Sequence, residues 1–94
     1  GFDEPVVESI ERYNRAGELI EVKEMNKRGE LKKWEKYVYN EAGQLTEELF
    51  LDKDGEVIRT EKTIYDGDLR VEKHFFDGKG RLFKKKVYEY EYFR

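Results

Sequence analysis

The sequence predicts an all-β protein: a single antiparallel meander sheet of about seven strands, built from β-hairpin repeats and either curled or one layer thick. Three observations predict it. A turn phrase, aromatic–Asn/Asp–x–x–Gly–x–aliphatic, recurs along the chain, and Tyr13, Tyr39 and Tyr65 stand 26 residues apart. The stretches between turns run 8 to 12 residues, too short to alternate with helices. Aromatics make up 15% of the chain although 44% is charged, and disordered chains are poor in aromatics.

The clearest copy of the phrase is Tyr37-Val38-Tyr39-Asn40-Glu41-Ala42-Gly43-Gln44-Leu45. Asn or Asp opens such a turn by hydrogen-bonding the backbone ahead of it. Gly then takes the left-handed residue of a type I turn with a G1 bulge. Residues 13–19 are an earlier copy, and weaker ones lie at 25–31, 51–57 and 76–82. Tyr65-Asp66-Gly67-Asp68-Leu69 is shortened and suits a two-residue type I′ turn on Asp66-Gly67. Two strands and two turns form the unit. About three units, near 13–38, 39–64 and 65–94, fill a single repetitive domain over 1–94.

The expected strands follow from these turns. The first, 6–13, begins after Pro5, the only proline, which cannot donate to a ladder. The next are 18–25, 30–39, 44–51, 56–65 and 68–76, and the last runs over 81–93. Helix is the rival reading for 18–25 and 46–50, but glycine at each end and the lack of a 3.6-residue period argue against it. Pairing outward from each turn without further irregularity gives a register. It brings Ile10, Val22, Trp34, Phe50, Ile58, Phe75 and Phe83 onto one row of one face. The opposite face then carries apolar residues at its two rims. These are Tyr13, Leu19, Tyr37, Tyr39 and Leu45 on one side, and residues such as Met25, Leu51 and Phe76 on the other.

Nothing in the chain forms a second layer. The sheet is therefore expected to curl over its own stripe, to stay thin under charged side chains with apolar stems, or to pair with another copy through a face or an edge. Glu8 and Arg12 at one edge, and Lys84, Lys85 and Lys86 at the other, read as charged edge protection.

The phrase Tyr-x-Tyr-Asn/Asp-x-x-Gly-x-Leu resembles the YD repeat of bacterial Rhs and related surface proteins. Residues 37–45 match it fully, 13–19 match its second half, and Val87-Tyr88-Glu89-Tyr90-Glu91-Tyr92 is similar to the start of another copy. The resemblance implies β-hairpin sheets acting as non-enzymatic structural or binding modules of exported bacterial proteins, with protein or glycan partners. A weaker likeness, through residues 29–37, is to the MORN-variant repeats of some antitoxin-like bacterial proteins. That likeness implies a small intracellular protein holding one partner.

The residues themselves leave little room for catalysis. Cys is absent, His74 is the only histidine and Ser9 the only serine, so nucleophilic triads and thiolate or histidine metal sites have almost nothing to draw on. No enzyme, cofactor or metal is expected. His74 is placed near Arg59 and Lys84 as a solvated structural residue. Asp52-Lys53-Asp54-Gly55 has partial calcium-loop spacing, but its flanks read as strands and a plain hairpin turn is expected. The same register lines up Glu47, Glu61 and Glu72, and likewise Glu11, Glu21 and Glu35, with diagonal lysines to relieve the repulsion. A net charge of −3 with both signs interspersed argues against a nucleic-acid or anionic-membrane surface, and no apolar run is long enough for a membrane helix.

Exposed aromatics are the remaining binding chemistry. Tyr88, Tyr90 and Tyr92 are expected on one face of the last strand, with Trp34 and Tyr37 as further candidate binding residues, because flat rings suit sugars or a protein partner. The chain opens Gly-Phe-Asp without an initiator Met, as a trimmed chain would, which leaves room for an export signal upstream. An extracellular or cell-surface location is expected from the first resemblance, a cytoplasmic one from the second.

Overall fold

The computed structural model describes residues 6–92. Within them lie β1 (Ser9–Tyr13), β2 (Leu19–Met25), β3 (Leu31–Tyr39), β4 (Leu45–Leu51), β5 (Val57–Asp66), β6 (Leu69–Asp77) and β7 (Leu82–Val87). They pair antiparallel in chain order into one 7-stranded sheet, β1 to β7, which does not close into a barrel. No helix occurs among the described residues. The fold is the expected all-β meander. Strand β7 ends at Val87, earlier than expected, although the Tyr88 N–H still donates to the Val71 carbonyl at 3.1 Å. Pro5 and Phe93 lie outside the described residues.

The turn chemistry is as expected at the four-residue turns. At the central one the Gly43 N–H donates to the Asn40 carbonyl at 3.0 Å, and Asn40 Oδ1 accepts from the Gln44 N–H at 2.9 Å. Gly43 sits at φ 81°, a conformation that costs a side-chain-bearing residue about 1–2 kcal/mol. Asp52 closes its turn in the same way, accepting from the Asp54 and Glu56 N–H groups, so this loop is a hairpin. The short turn differs from expectation. Asp66 pairs with Leu69, leaving Gly67-Asp68 as the loop, and only Gly67 has a positive φ. That is the φ pattern of a type II′ turn, which needs a left-handed residue at the glycine alone and spares both aspartates.

Each hairpin carries a second irregularity that the turn phrase does not announce. Beside every turn the register slips by one, leaving Ile20, Lys32, Thr46, Ile58, Val71 and Phe83 as extra residues on the returning strands. This overturns the expected row. Val22 pairs with Glu11 and Glu35, whereas Ile10 and Trp34 both pair with Lys23, so Val22 and Trp34 lie on opposite faces. Ile58 and Phe83 are themselves bulge residues. The expected carboxylate rows fail for the same reason. Glu47 faces Lys62, which faces His74, while Glu48 faces Glu61.

The faces can be named by their aromatics. Val22, Tyr37, Tyr39, Phe50, Glu61, Tyr65 and Phe75 share the tyrosine face. Ile10, Trp34, Leu49, His74 and Phe76 share the tryptophan face. Among the described residues only Val22, Leu51, Phe75 and Glu61 are buried, which is what a sheet without a partner layer permits. The radius of gyration, 17.0 Å, exceeds the roughly 12 Å of a compact chain this long. Six bulges along one sheet add right-handed twist and oppose a flat, easily stacked surface.

Side chains supply the missing layer. Lys23 lies over the Trp34 ring at 4.1 Å, and Arg59 over Phe75 at 5.1 Å and Phe50 at 5.6 Å. Lys84 covers Phe75 at 4.8 Å, and Lys62 covers Phe76 at 5.3 Å. Alkyl stems and cations over ring faces thus do part of what a second sheet would do, at about 0.5–1 kcal/mol each where exposed.

Candidate functional site

The expected binding residues divide among three places. Trp34, near the middle of β3, donates from Nε1 to Glu21 Oε2 at 2.8 Å, and Glu21 in turn holds Arg12 Nε at 3.1 Å. With Ile10 and Lys23 these residues line a hollow of about 150 Å³ on the tryptophan face. Tyr37 is on the same strand but the opposite face. Its hydroxyl donates to Glu35 Oε2 at 3.0 Å, and burial, then this bond to a carboxylate, raises its pKa far above the ordinary tyrosine value. Trp34 and Tyr37 therefore do not share a surface. Tyr88, Tyr90 and Tyr92 lie beyond the end of β7, with three strands between β3 and β7.

That C-terminal group is partly engaged. Arg70 lies over the Tyr88 ring at 4.7 Å and Lys86 at 5.0 Å, while the Tyr90 hydroxyl donates to the Arg70 carbonyl at 2.6 Å. Tyr92 is 77% exposed, the most open large aromatic among the described residues.

Tyr90 belongs to a ladder that residue-type reasoning missed. Tyr39 OH donates to the Leu19 carbonyl at 2.8 Å and Tyr65 OH to the Leu45 carbonyl at 2.7 Å. Each acceptor lies 20 residues back, beside a bulge, so each hairpin is latched to the one before it. The tyrosine spacing, 26 residues from Tyr39 to Tyr65 and 25 from Tyr65 to Tyr90, was the signal for this latch. Tyr13, at the start of the series, instead donates to Glu11.

The strongest electrostatic feature is on the tyrosine face. Glu48 and Glu61 stand directly opposite on β4 and β5, and Lys73 of β6 bridges them at 3.0 and 2.9 Å. Arg59 adds a second cation to Glu61 at 2.9 Å. Burial pulls the Lys73 ammonium down, but hydrogen bonds to Glu61 and Glu48 outweigh it and the net shift is upward. These groups neutralise one another and present no poised acid or base. His74 is on the tryptophan face between Lys62 and Lys85, away from the expected Arg59 and Lys84, because of the register slip. Its Nε2 lies 3.6 Å from Glu72, too far for a hydrogen bond. No group of three His, Cys, Asp or Glu fit to hold a metal ion occurs among the described residues.

A larger concavity, about 640 Å³, opens between the 26–29 and 52–55 turns and is lined by Lys23, Met25, Leu31 and Lys53 among others. It gathers no acid–base pair beyond the lone Glu30 with these lysines. Comparison with family models, curated proteins and solved structures gave no match to this chain.

Proposed function

We propose that this protein is a non-enzymatic binding module of the bacterial hairpin-repeat kind, exported or surface-borne, that engages a glycan or protein through the aromatics that follow the last strand of its sheet. One observation carries the reading. Beyond β7, Tyr90 and Tyr92 are 42% and 77% exposed beside a Tyr88 ring flanked by Arg70 and Lys86. Rings ordered by a backbone latch and bordered by donors suit the apolar face and hydroxyls of a sugar ring. The turn-phrase resemblance supports the bacterial and exported parts of the proposal.

Titration of ¹⁵N-labelled protein with soluble chito-, cello- and peptidoglycan-derived oligosaccharides tests it. Amide shifts should cluster at residues 88–92 and Arg70 and vanish in Tyr92→Ala. Shifts confined to the Trp34 hollow, or none with any glycan, refute the assignment of the surface.

A second reading, an antitoxin-like intracellular protein holding one partner, is favoured by one observation: β1 and β7 present open strand edges, the element used for β-strand addition. A neighbouring gene product that co-purifies at one-to-one stoichiometry and protects the amides of an edge strand would favour this reading over the first.

A further inference from the structure

We propose that β1 pairs with β1 of a second copy, antiparallel about a two-fold axis, in the register that sets Ile10 against its own counterpart. The backbone decides which residues can pair. The Met25 N–H donates to the Glu8 carbonyl, and the continuing register pairs Ile10 with Lys23 and Arg12 with Glu21. By antiparallel alternation the even-numbered residues of this segment hydrogen-bond inward to β2. Ser9 and Glu11 therefore direct their N–H and C=O groups off the edge.

Only registers that set odd residues against odd residues satisfy those groups; five are centred on a residue of β1, and those on Arg12 and Tyr13 run past the strand into the following turn. Centring on Glu11 opposes two carboxylates. Centring on Ser9 sets Glu8 against Ile10. Centring on Ile10 sets Ser9 against Glu11, Val7 against Tyr13, and Glu8 against Arg12 on both sides of the axis. Val7-Glu8-Ser9-Ile10-Glu11-Arg12-Tyr13 is thus self-complementary when read against itself in reverse.

The Ile10 pair and both Glu8–Arg12 pairs occupy the non-hydrogen-bonded positions, where cross-strand side chains approach most closely. Ile10 is 41% exposed, so the pairing covers apolar surface that β1 leaves open. Arg12, already on Glu21 at 3.1 Å, would lie between two carboxylates. The far edge offers no such match, because the same operation on β7 sets Lys84 against Lys86 and Lys85 against itself. Glu8 and Arg12, expected from sequence to protect an edge, act here as its selectors. The proposal does not depend on the aromatic surface near β7, so either reading can fail alone.

The chain has no cysteine, which makes disulfide trapping a clean reading of register. Opposed Cα atoms at a non-hydrogen-bonded pair lie about 4.5 Å apart, within disulfide range. Under mild oxidation Ile10→Cys should cross-link at least tenfold faster than Ser9→Cys or Glu11→Cys. Wild-type mass by sedimentation should rise with concentration toward twice that of the chain. Glu8→Arg alone and Arg12→Glu alone should each sediment as monomers, while their equimolar mixture should recover the dimer, which misfolded chains could not do. A concentration-independent monomer, faster trapping at position 9 or 11, or a dimer that survives Glu8→Arg would each overturn the proposal.

Discussion

Replacing Lys73 with Met removes the one cation shared by two carboxylates. Glu48 and Glu61 stand opposite each other on adjacent strands, and like charges so placed destabilise a sheet. Lys73 sits 3.0 Å from one and 2.9 Å from the other. Its side chain is 20% exposed, those of Glu48 and Glu61 21% and 10%, so water screens the repulsion only in part. Breaking a fully buried pair costs about 3–5 kcal/mol, and exposed pairs about 0–1. With Arg59 still holding Glu61, an intermediate cost of about 2–3 kcal/mol is expected for Lys73→Met. At a urea m-value of about 1–3 kcal/mol/M, that moves the unfolding midpoint down by roughly 0.7–3 M. Circular dichroism during urea titration measures it. Adding Glu48→Gln to Lys73→Met should restore about half the loss, because one of the facing charges is gone. A Lys73→Met cost below about 0.5 kcal/mol, or a double variant no better than the single, would refute the bridging role.

Tyr39→Phe and Tyr65→Phe should each cost about 1 kcal/mol and add nearly independently in the same urea assay, since each removes one latch from a different hairpin. Tyr90→Phe should leave the midpoint almost unchanged but speed hydrogen exchange at the Tyr88 amide, whose bond to Val71 the latch holds in place. Gly80→Ala should cost about 1–2 kcal/mol although no atom lies within 4 Å of the new methyl, because its φ of 81° carries the whole penalty; Gly80→Asn should cost less. Alkaline titration should destabilise the fold. Lys73 and Tyr37 both have raised folded-state pKa values, so their stabilisation is complete below about pH 10 and is lost as pH climbs through those values. Asp77, lowered first by its backbone bond from Arg81, works the other way. Its share is held above about pH 4 and lost as pH falls through its depressed value.

The architecture was legible because a turn is a local event. Asn40 to Gly43 specify their own hairpin through an Asx hydrogen bond and one left-handed glycine, and repeated turns at short intervals leave only a meander. The second bulge was not legible. Ile20, Thr46, Ile58 and Val71 are β-branched, a type favoured along strands generally, and Lys32 and Phe83 are not, so no residue type singles out the position. Because side chains alternate with period 2, a slip of one residue sends every later side chain to the other face. The apolar row was therefore an accident of the uncorrected register. It held Val22 with Phe50 and Phe75 but set Ile10 and Trp34 on the wrong side. For the candidate site the same holds in miniature. Trp34 and Tyr37 were recognisable as surface aromatics, but their separation onto two faces depended on pairing.

The two irregularities together explain how so thin a sheet stays folded. A bulge beside every turn tilts the returning strand and places the Leu19, Leu45 and Arg70 carbonyls where the tyrosine of the next hairpin reaches them. Each unit is then tied to its predecessor by a side-chain bond as well as by the ladder, as in solenoids, where stability is a sum of neighbour interfaces. Such an array has two ends and buries only four of its described residues, so its edges carry part of the burden that a core carries elsewhere. That burden falls on β1 and β7 unequally. The lysine run of β7 repels its own copy, whereas the segment around Ile10 is matched in charge and backbone to itself. An edge that is self-complementary in only one of its registers is an edge selected for a partner, and the relative trapping rates at positions 9, 10 and 11 measure that selection directly.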